Sequence, residues 1–146
     1  MRGELTLEEL RAMLRAAGDK AKEFGTPSSV AIVDAGGNLR AAERPENGRI
    51  ANLDIAIKKA WTAIAFKRPT SMVRAIMQPG EFGYGLQFTD HRICMVDGGF
   101  PIIADGVYLG GIGVSGGPVD QDCEVCLAAL RACGFQTEFV DPLKQR

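Results

Sequence analysis

Apolar positions recur at two different spacings along the chain, and the changes of spacing mark its elements. Leu7, Leu10, Met13, Leu14 and Ala17 fall at helical steps, which predicts a helix over residues 6–24. Thr6 and Glu9 stand as a capping-box pair at its start, and Gly25 and Pro27 end it. Residues 29–34 and 39–44 read as two strands joined by the turn at 35–38, followed by a loop at 45–48. A second helix is predicted over 50–67, with Ile50, Leu53, Ile57, Ala60, Trp61 and Ile64 facing inward, and Pro69 beyond it. Thr70 opens a short third helix that Pro79-Gly80 terminates.

The second half is less regular. Residues 81–90 carry Phe82, Tyr84 and Phe88 among glycines without a clean period, which predicts a loop, with a lid as one role for it. Residues 92–96 read as a short strand. Asp105-Gly106 lies between the apolar runs 100–104 and 107–114, the strongest short-range signal for a tight hairpin. A last helix opens at Pro118 or Val119, aligns Val119, Cys123, Cys126, Leu127 and Leu130, and closes at Gly134. The polar tail, 137–146, is expected to fray or to dock. The order α-ββ-α-α-βββ-α predicts one α+β domain over 1–146, an antiparallel sheet of about five strands flanked by helices.

Composition narrows the functional classes. With 17 basic and 18 acidic residues the net charge is −1, which gives no electrostatic case for nucleic acid. No apolar run approaches the roughly 20 residues of a membrane span. The acidic, amphipathic start lacks the apolar region of a secretory signal. Four cysteines in that setting read as reduced thiols, and a cytoplasmic location is expected.

Candidate chemistry is spread over several positions. Cys123 and Cys126 form C-x-x-C, but both lie inside the predicted last helix rather than before it. Thiols packed on the sheet are therefore favoured over zinc or redox roles, and no metal site is expected. His91 is the only histidine, and its options are an exposed loop side chain, a general base or a haem ligand. Lys58 and Lys59 sit mid-helix beside an apolar segment, where a lysine snorkels to solvent, acts in catalysis or binds a carboxylate. Asp34 and Asp97 each end an apolar run just before a glycine pair, and would form an acid–base pair if close in space. Gly110-x-x-Gly113 lacks the lysine of a phosphate loop. Ser115-Gly-Gly-Pro reads as a hairpin exit into a capped helix in preference to an anion site. The paired glycines predict close approach, by a partner subunit along Gly110-Gly111 and by ligand near Gly98-Gly99.

Three blocks, VAIVDAGGNLRAAER, KKAWTAIAF and GGFPIIADGVYLGGIGVSGGPVDQD, resemble the GlcG/HbpS-like or haem-degrading-domain family, from Thr6 to about Cys133. The resemblance implies a profilin-like domain that assembles as a homodimer or larger homo-oligomer. It also implies a small-molecule ligand, haem or a related tetrapyrrole among the candidates. The 81–90 loop and the cysteines of the last helix depart from the common pattern.

Two functions follow as expectations. One is a small-ligand-binding protein with cofactor contacts at His91, Gly98, Gly99 and Phe100, and with Cys94, Phe82, Tyr84 and Phe88 nearby. The other is a cofactor-independent hydrolase, tautomerase or isomerase acting on a small carboxylate. Lys59, Asp97 and Asp34 would be catalytic, with Ser115 and Arg92 or Arg68 in support. An accessory oligomer is compatible with either.

Overall fold

A computed structural model describes residues 2–141 and 143. Among the described residues four helices and four strands follow in the order α1 (Leu7–Phe24), β1 (Ser29–Asp34), β2 (Leu39–Glu43), α2 (Ile50–Phe66), α3 (Thr70–Ile76), β3 (Gly99–Ala104), β4 (Val107–Ser115) and α4 (Val119–Ala132). A 3-10 turn occupies Leu86–Phe88. The strands form one antiparallel sheet in the order β2-β1-β4-β3. The sheet therefore has four strands rather than about five. Residues 92–96 form no ladder, because Cys94 donates its amide to the Thr62 hydroxyl and Arg92 gives its carbonyl to the same group.

The local signals that start and stop elements work as the residues dictate. Thr6 Oγ1 accepts from the Glu9 amide, and the Glu9 carboxylate accepts from the Thr6 amide, closing the capping box of α1. Asp105 and Gly106 both take positive φ, 49° and 77°, the requirement of a tight hairpin turn between β3 and β4.

Period-two alternation divides the sheet between two layers. Val30, Ile32, Ile112 and Val114 meet α1 and α4 in the main core, with Leu10, Met13, Val125 and Leu130. The opposite face lies against α2, whose buried residues are Asn52, Ala56, Lys59, Ala60, Thr62, Ala63 and Ile64. This is not the expected stripe, since Ile50 is 81% exposed. The reason lies in β4. A Cβ built on Gly111 or Gly113 would stand 2.2 Å from Ala60 O or 2.1 Å from Ala56 O. Helix and strand backbones are in near contact there, so only small side chains fit between them. The glycines of β4 thus admit a helix of the same chain, where a partner subunit was expected.

Along the outer edge of β3, Gln136 donates its amide to Ile103 O, and Phe139 lies 5.6 Å from Phe100. The described part of the C-terminal segment is therefore docked on the sheet, while residues 142 and 144–146 lie outside the described residues.

Candidate functional site

Two regions gather the candidate residues. The first is a buried polar hub between α2, α4 and the ends of β3 and β4. Lys59 comes off the sheet-facing side of α2, and its Nζ donates to Val114 O at 2.7 Å and to Asp122 Oδ2 at 3.3 Å. The two side chains are 1% and 3% exposed. Asp122 Oδ1 also accepts the Gly117 amide at 3.1 Å. Burial pushes the Asp122 carboxyl above the usual range, against the pull of Lys59 and the Gly116 and Gly117 amides.

Gly98 and Gly99 close this hub. A Cβ on Gly98 would fall 2.8 Å from Lys59 Nζ, and one on Gly99 would fall 2.5 Å from Lys59 O. The Gly99 amide donates to Thr70 Oγ1, and Cys126 Sγ donates to Gly98 O. Phe100 is buried in the main core. Ser115 Oγ and Asn52 Oδ1 lie 3.4 Å apart just beyond. Apart from Asn52 Nδ2, which is buried without a hydrogen-bond partner among the described residues, these groups bond to one another rather than to an open space.

The remaining carboxylates stand elsewhere. Asp34 accepts from the amides of Gly36 and Asn38, so it caps the β1–β2 turn. Asp97 takes Arg74 Nε at 2.9 Å and its second nitrogen at 3.3 Å on the surface. Asp34 pairs with Gly110, whereas Gly99 pairs with Gly113, two residues from Asp97. At about 3.3 Å per residue the two acids lie roughly 16 Å apart along the strands. Lys59 and Asp97 share one end of the sheet, and Asp34 occupies the other. Gly98, Gly99 and Lys59 therefore stand apart from Asp34, and the three carboxylate and lysine candidates do not converge.

The cysteines follow the packed-thiol reading. Cys126 is fully enclosed in the main core with Cys123 and Cys133 at its margin. Burial pushes the Cys123 thiol up to about 11 and the Cys126 thiol well above its ordinary value. Both are protonated and poor nucleophiles at neutral pH.

The second region is the surface of residues 82–91. Phe82, Tyr84, Leu86 and Phe88 are exposed, Phe88 at 79%, and Tyr84 meets Phe88 edge to face at 6.5 Å. The loop is nevertheless fixed. The Gly83 amide donates to Ile76 O, the Thr89 hydroxyl to Leu86 O, and the Gly85 amide to Gln87 Oε1. His91 follows with its side chain 86% exposed and Nδ1 3.8 Å from Asp90 Oδ1. Asp90 holds Arg92 through two oxygens, which keeps its carboxyl well below the ordinary range. Arg92 in turn stacks 4.1 Å over the Trp61 ring. Cys94 sits behind, on Thr62. A groove of about 430 Å³ between α1 and β2, lined by Leu14, Arg15, Val30 and Arg44 among others, shares no residue with either region.

Sequence reading missed Asp122 and Arg74. The signal for Asp122 was present: it falls on the α4 face shared by Val125, Cys126 and Ala129, where an acid stays only beside a buried cation.

The fold and these two regions define an α+β domain with a sealed ionic hub and an exposed aromatic loop. The family model described as haem degrading protein HbpS-like matches residues 5–131, and the chain belongs to that family. It is 35% identical over 134 residues to a corrinoid adenosyltransferase PduO of Citrobacter freundii, covering 91% of this chain. The chain spans 40% of the length of that relative. The Escherichia coli protein GlcG is 29% identical over 111 residues, covering 76% of this chain and 81% of GlcG. Among solved structures, the PduOC:haem complex superposes with a TM-score of 0.89 at 34% identity, covering 93% of this chain and 99% of that one. HbpS superposes at 0.82 with 30% identity, covering 90% and 91%.

Proposed function

We propose that this chain binds haem or a related tetrapyrrole on the surface of residues 82–91, as a homo-oligomer in the cytoplasm. The observation that carries this reading is the exposed aromatic row ending at His91. A folded domain that leaves such a patch uncovered presents it to something else. A flat conjugated macrocycle suits it, because aromatic side chains gain both area and ring contacts against such a surface. The donor chemistry also fits. His91 turns Nδ1 toward Asp90, which leaves Nε2 on the outward side of an exposed ring. Haem, if bound, would supply a redox-active iron, a metal that an imidazole can hold. Phe82, Tyr84 and Phe88 would hold the ring, and His91 the iron. The likeness to the PduOC:haem complex supports the same ligand. No described helix is long and apolar enough to cross a membrane, and the four free thiols suit a reducing compartment.

Gly98, Gly99 and Phe100 take no part in this proposal, being enclosed by Lys59, Thr70 and the core. An acid–base enzyme built on Lys59, Asp97 and Asp34 lacks the convergence that such chemistry needs.

Haem titration of the Tyr84→Ser/Phe88→Ser variant tests the surface. Burying one large apolar side chain stabilises by about 1.5–3 kcal/mol. Affinity should fall at least about tenfold while the melting temperature holds. Equal affinity in wild type and variant would remove the loop as the site.

A further inference from the structure

The chain holds three asparagines, and their surroundings differ sharply. Asn38 is held by Asp34, whose Oδ1 accepts its backbone amide at 2.9 Å and its side-chain amide at 3.3 Å, and Leu39 of β2 follows it. Asn52 is 6% exposed in the first turn of α2, with Leu53 after it in the helix. Asn47 is exposed in the loop between β2 and α2, and Gly48 follows it. Its side chain makes no hydrogen bond among the described residues. A loop backbone turns more freely than that of a strand or a helix. Glycine brings no Cβ to crowd an attack by its own nitrogen.

From this placement we infer that Asn47 is a modification site, where the chain converts its own asparagine to aspartate and isoaspartate through a cyclic imide. The Gly48 nitrogen gives up its proton to solvent, attacks Asn47 Cγ and expels ammonia, which closes a five-membered ring. Water then opens either carbon–nitrogen bond of the ring. One water is consumed, one ammonia is released, and nothing is oxidised or reduced. The Gly48 amide donates to Pro45 O at 2.9 Å, so this turn bond must open first. It lies in a surface loop, where such bonds open without unfolding of the domain. The folded chain therefore converts more slowly than the unfolded one, and at Asn47 ahead of the other two asparagines. The product adds one negative charge to a chain of net charge −1. That charge stands two residues before Arg49, the N-cap of α2, a helix with no acid in its first turn and no side-chain bond at that cap. An anion there complements the positive end of the helix dipole. The site shares no residue with the haem surface of residues 82–91.

Incubation of the folded full chain for several days in oxygen-18 water, followed by tryptic digestion in ordinary water and mass spectrometry, tests the site. Trypsin leaves Arg44-Pro45 uncut, so residues 41–49 form one peptide. That peptide should gain three daltons, one from the exchange of nitrogen for oxygen and two from the heavy isotope. The label marks conversion before digestion and shows that water opened the ring. Conversion should run at least tenfold faster than in the peptides that carry Asn38 and Asn52, and Asn47→Gln should abolish it. No gain in peptide 41–49 of the folded chain would overturn the site, whether or not a urea-unfolded sample converts. So would an equal rate at Asn38 or Asn52. Asn47→Asp, which carries the charge of the product, should melt above wild type, and an equal or lower melting temperature would overturn the effect on α2. Haem affinity should stay at the wild-type value in the converted chain, so the two readings fail separately.

Discussion

Lys59 of α2 and Asp122 of α4, 63 positions apart in sequence, meet at 3.3 Å in the interior with both side chains almost wholly excluded from solvent. Removing one partner leaves a buried charge without compensation, which costs about 3–5 kcal/mol. Asp122→Asn and Lys59→Met are each expected to lose stability on that scale in urea denaturation. The double variant should lose at least about 1 kcal/mol less than the sum of the singles, because the charge that each orphans is then gone. Strict additivity would show that the pair is uncoupled.

The contact between β4 and α2 makes opposite predictions for two glycines. Gly113→Ala would drive a Cβ to 2.1 Å from Ala56 O, and overpacking of this kind costs about 1–3 kcal/mol or more. Gly18 lies mid-helix in α1, and a Cβ there meets nothing within 4 Å. Gly18→Ala is expected to stabilise by about 0.5–1 kcal/mol, since glycine is a poor interior helix residue. Thermal melts of the two variants should move in opposite directions.

What could be read in the sequence was local, and what could not was a matter of long-range partners. The α1 cap and the Asp105-Gly106 turn are set by residues within a few positions of one another, so spacing alone reveals them. The inward face of α2 was misjudged because large residues such as Ile50 were weighted over alanines. Only the glycines of β4, some sixty residues on, make the small side the buried one. Residues 92–96 look strand-like, but the Arg92 carbonyl and the Cys94 amide bond to Thr62 of α2 rather than to a neighbouring strand. The loop with His91 was singled out by its composition, and the structure adds that its aromatics face outward. The scatter of Asp34 and Asp97 needed the strand register, which no spacing gives.

Glu9 supplies a pH dependence. The Arg2 guanidinium, with the Thr6 amide and hydroxyl, holds its carboxyl at about 2, below an ordinary value of 4.5. A depressed carboxyl contributes stability above its unfolded value and loses it as pH falls toward the folded one. Urea midpoints should therefore drop between about pH 4.5 and pH 2, and Glu9→Gln should flatten part of that fall. Thr6→Ala, which removes the reciprocal cap, is expected to cost about 1 kcal/mol at neutral pH. A Glu9→Gln profile that overlays wild type would contradict the assignment.

The most direct test of the ligand reading is the absorption spectrum of the protein titrated with micromolar haem, in wild type and in His91→Ala. Ligation through His91 predicts a saturable Soret shift in wild type that the alanine variant loses while its fold and melting temperature are unchanged. No shift in wild type, or an identical shift in His91→Ala, would contradict it.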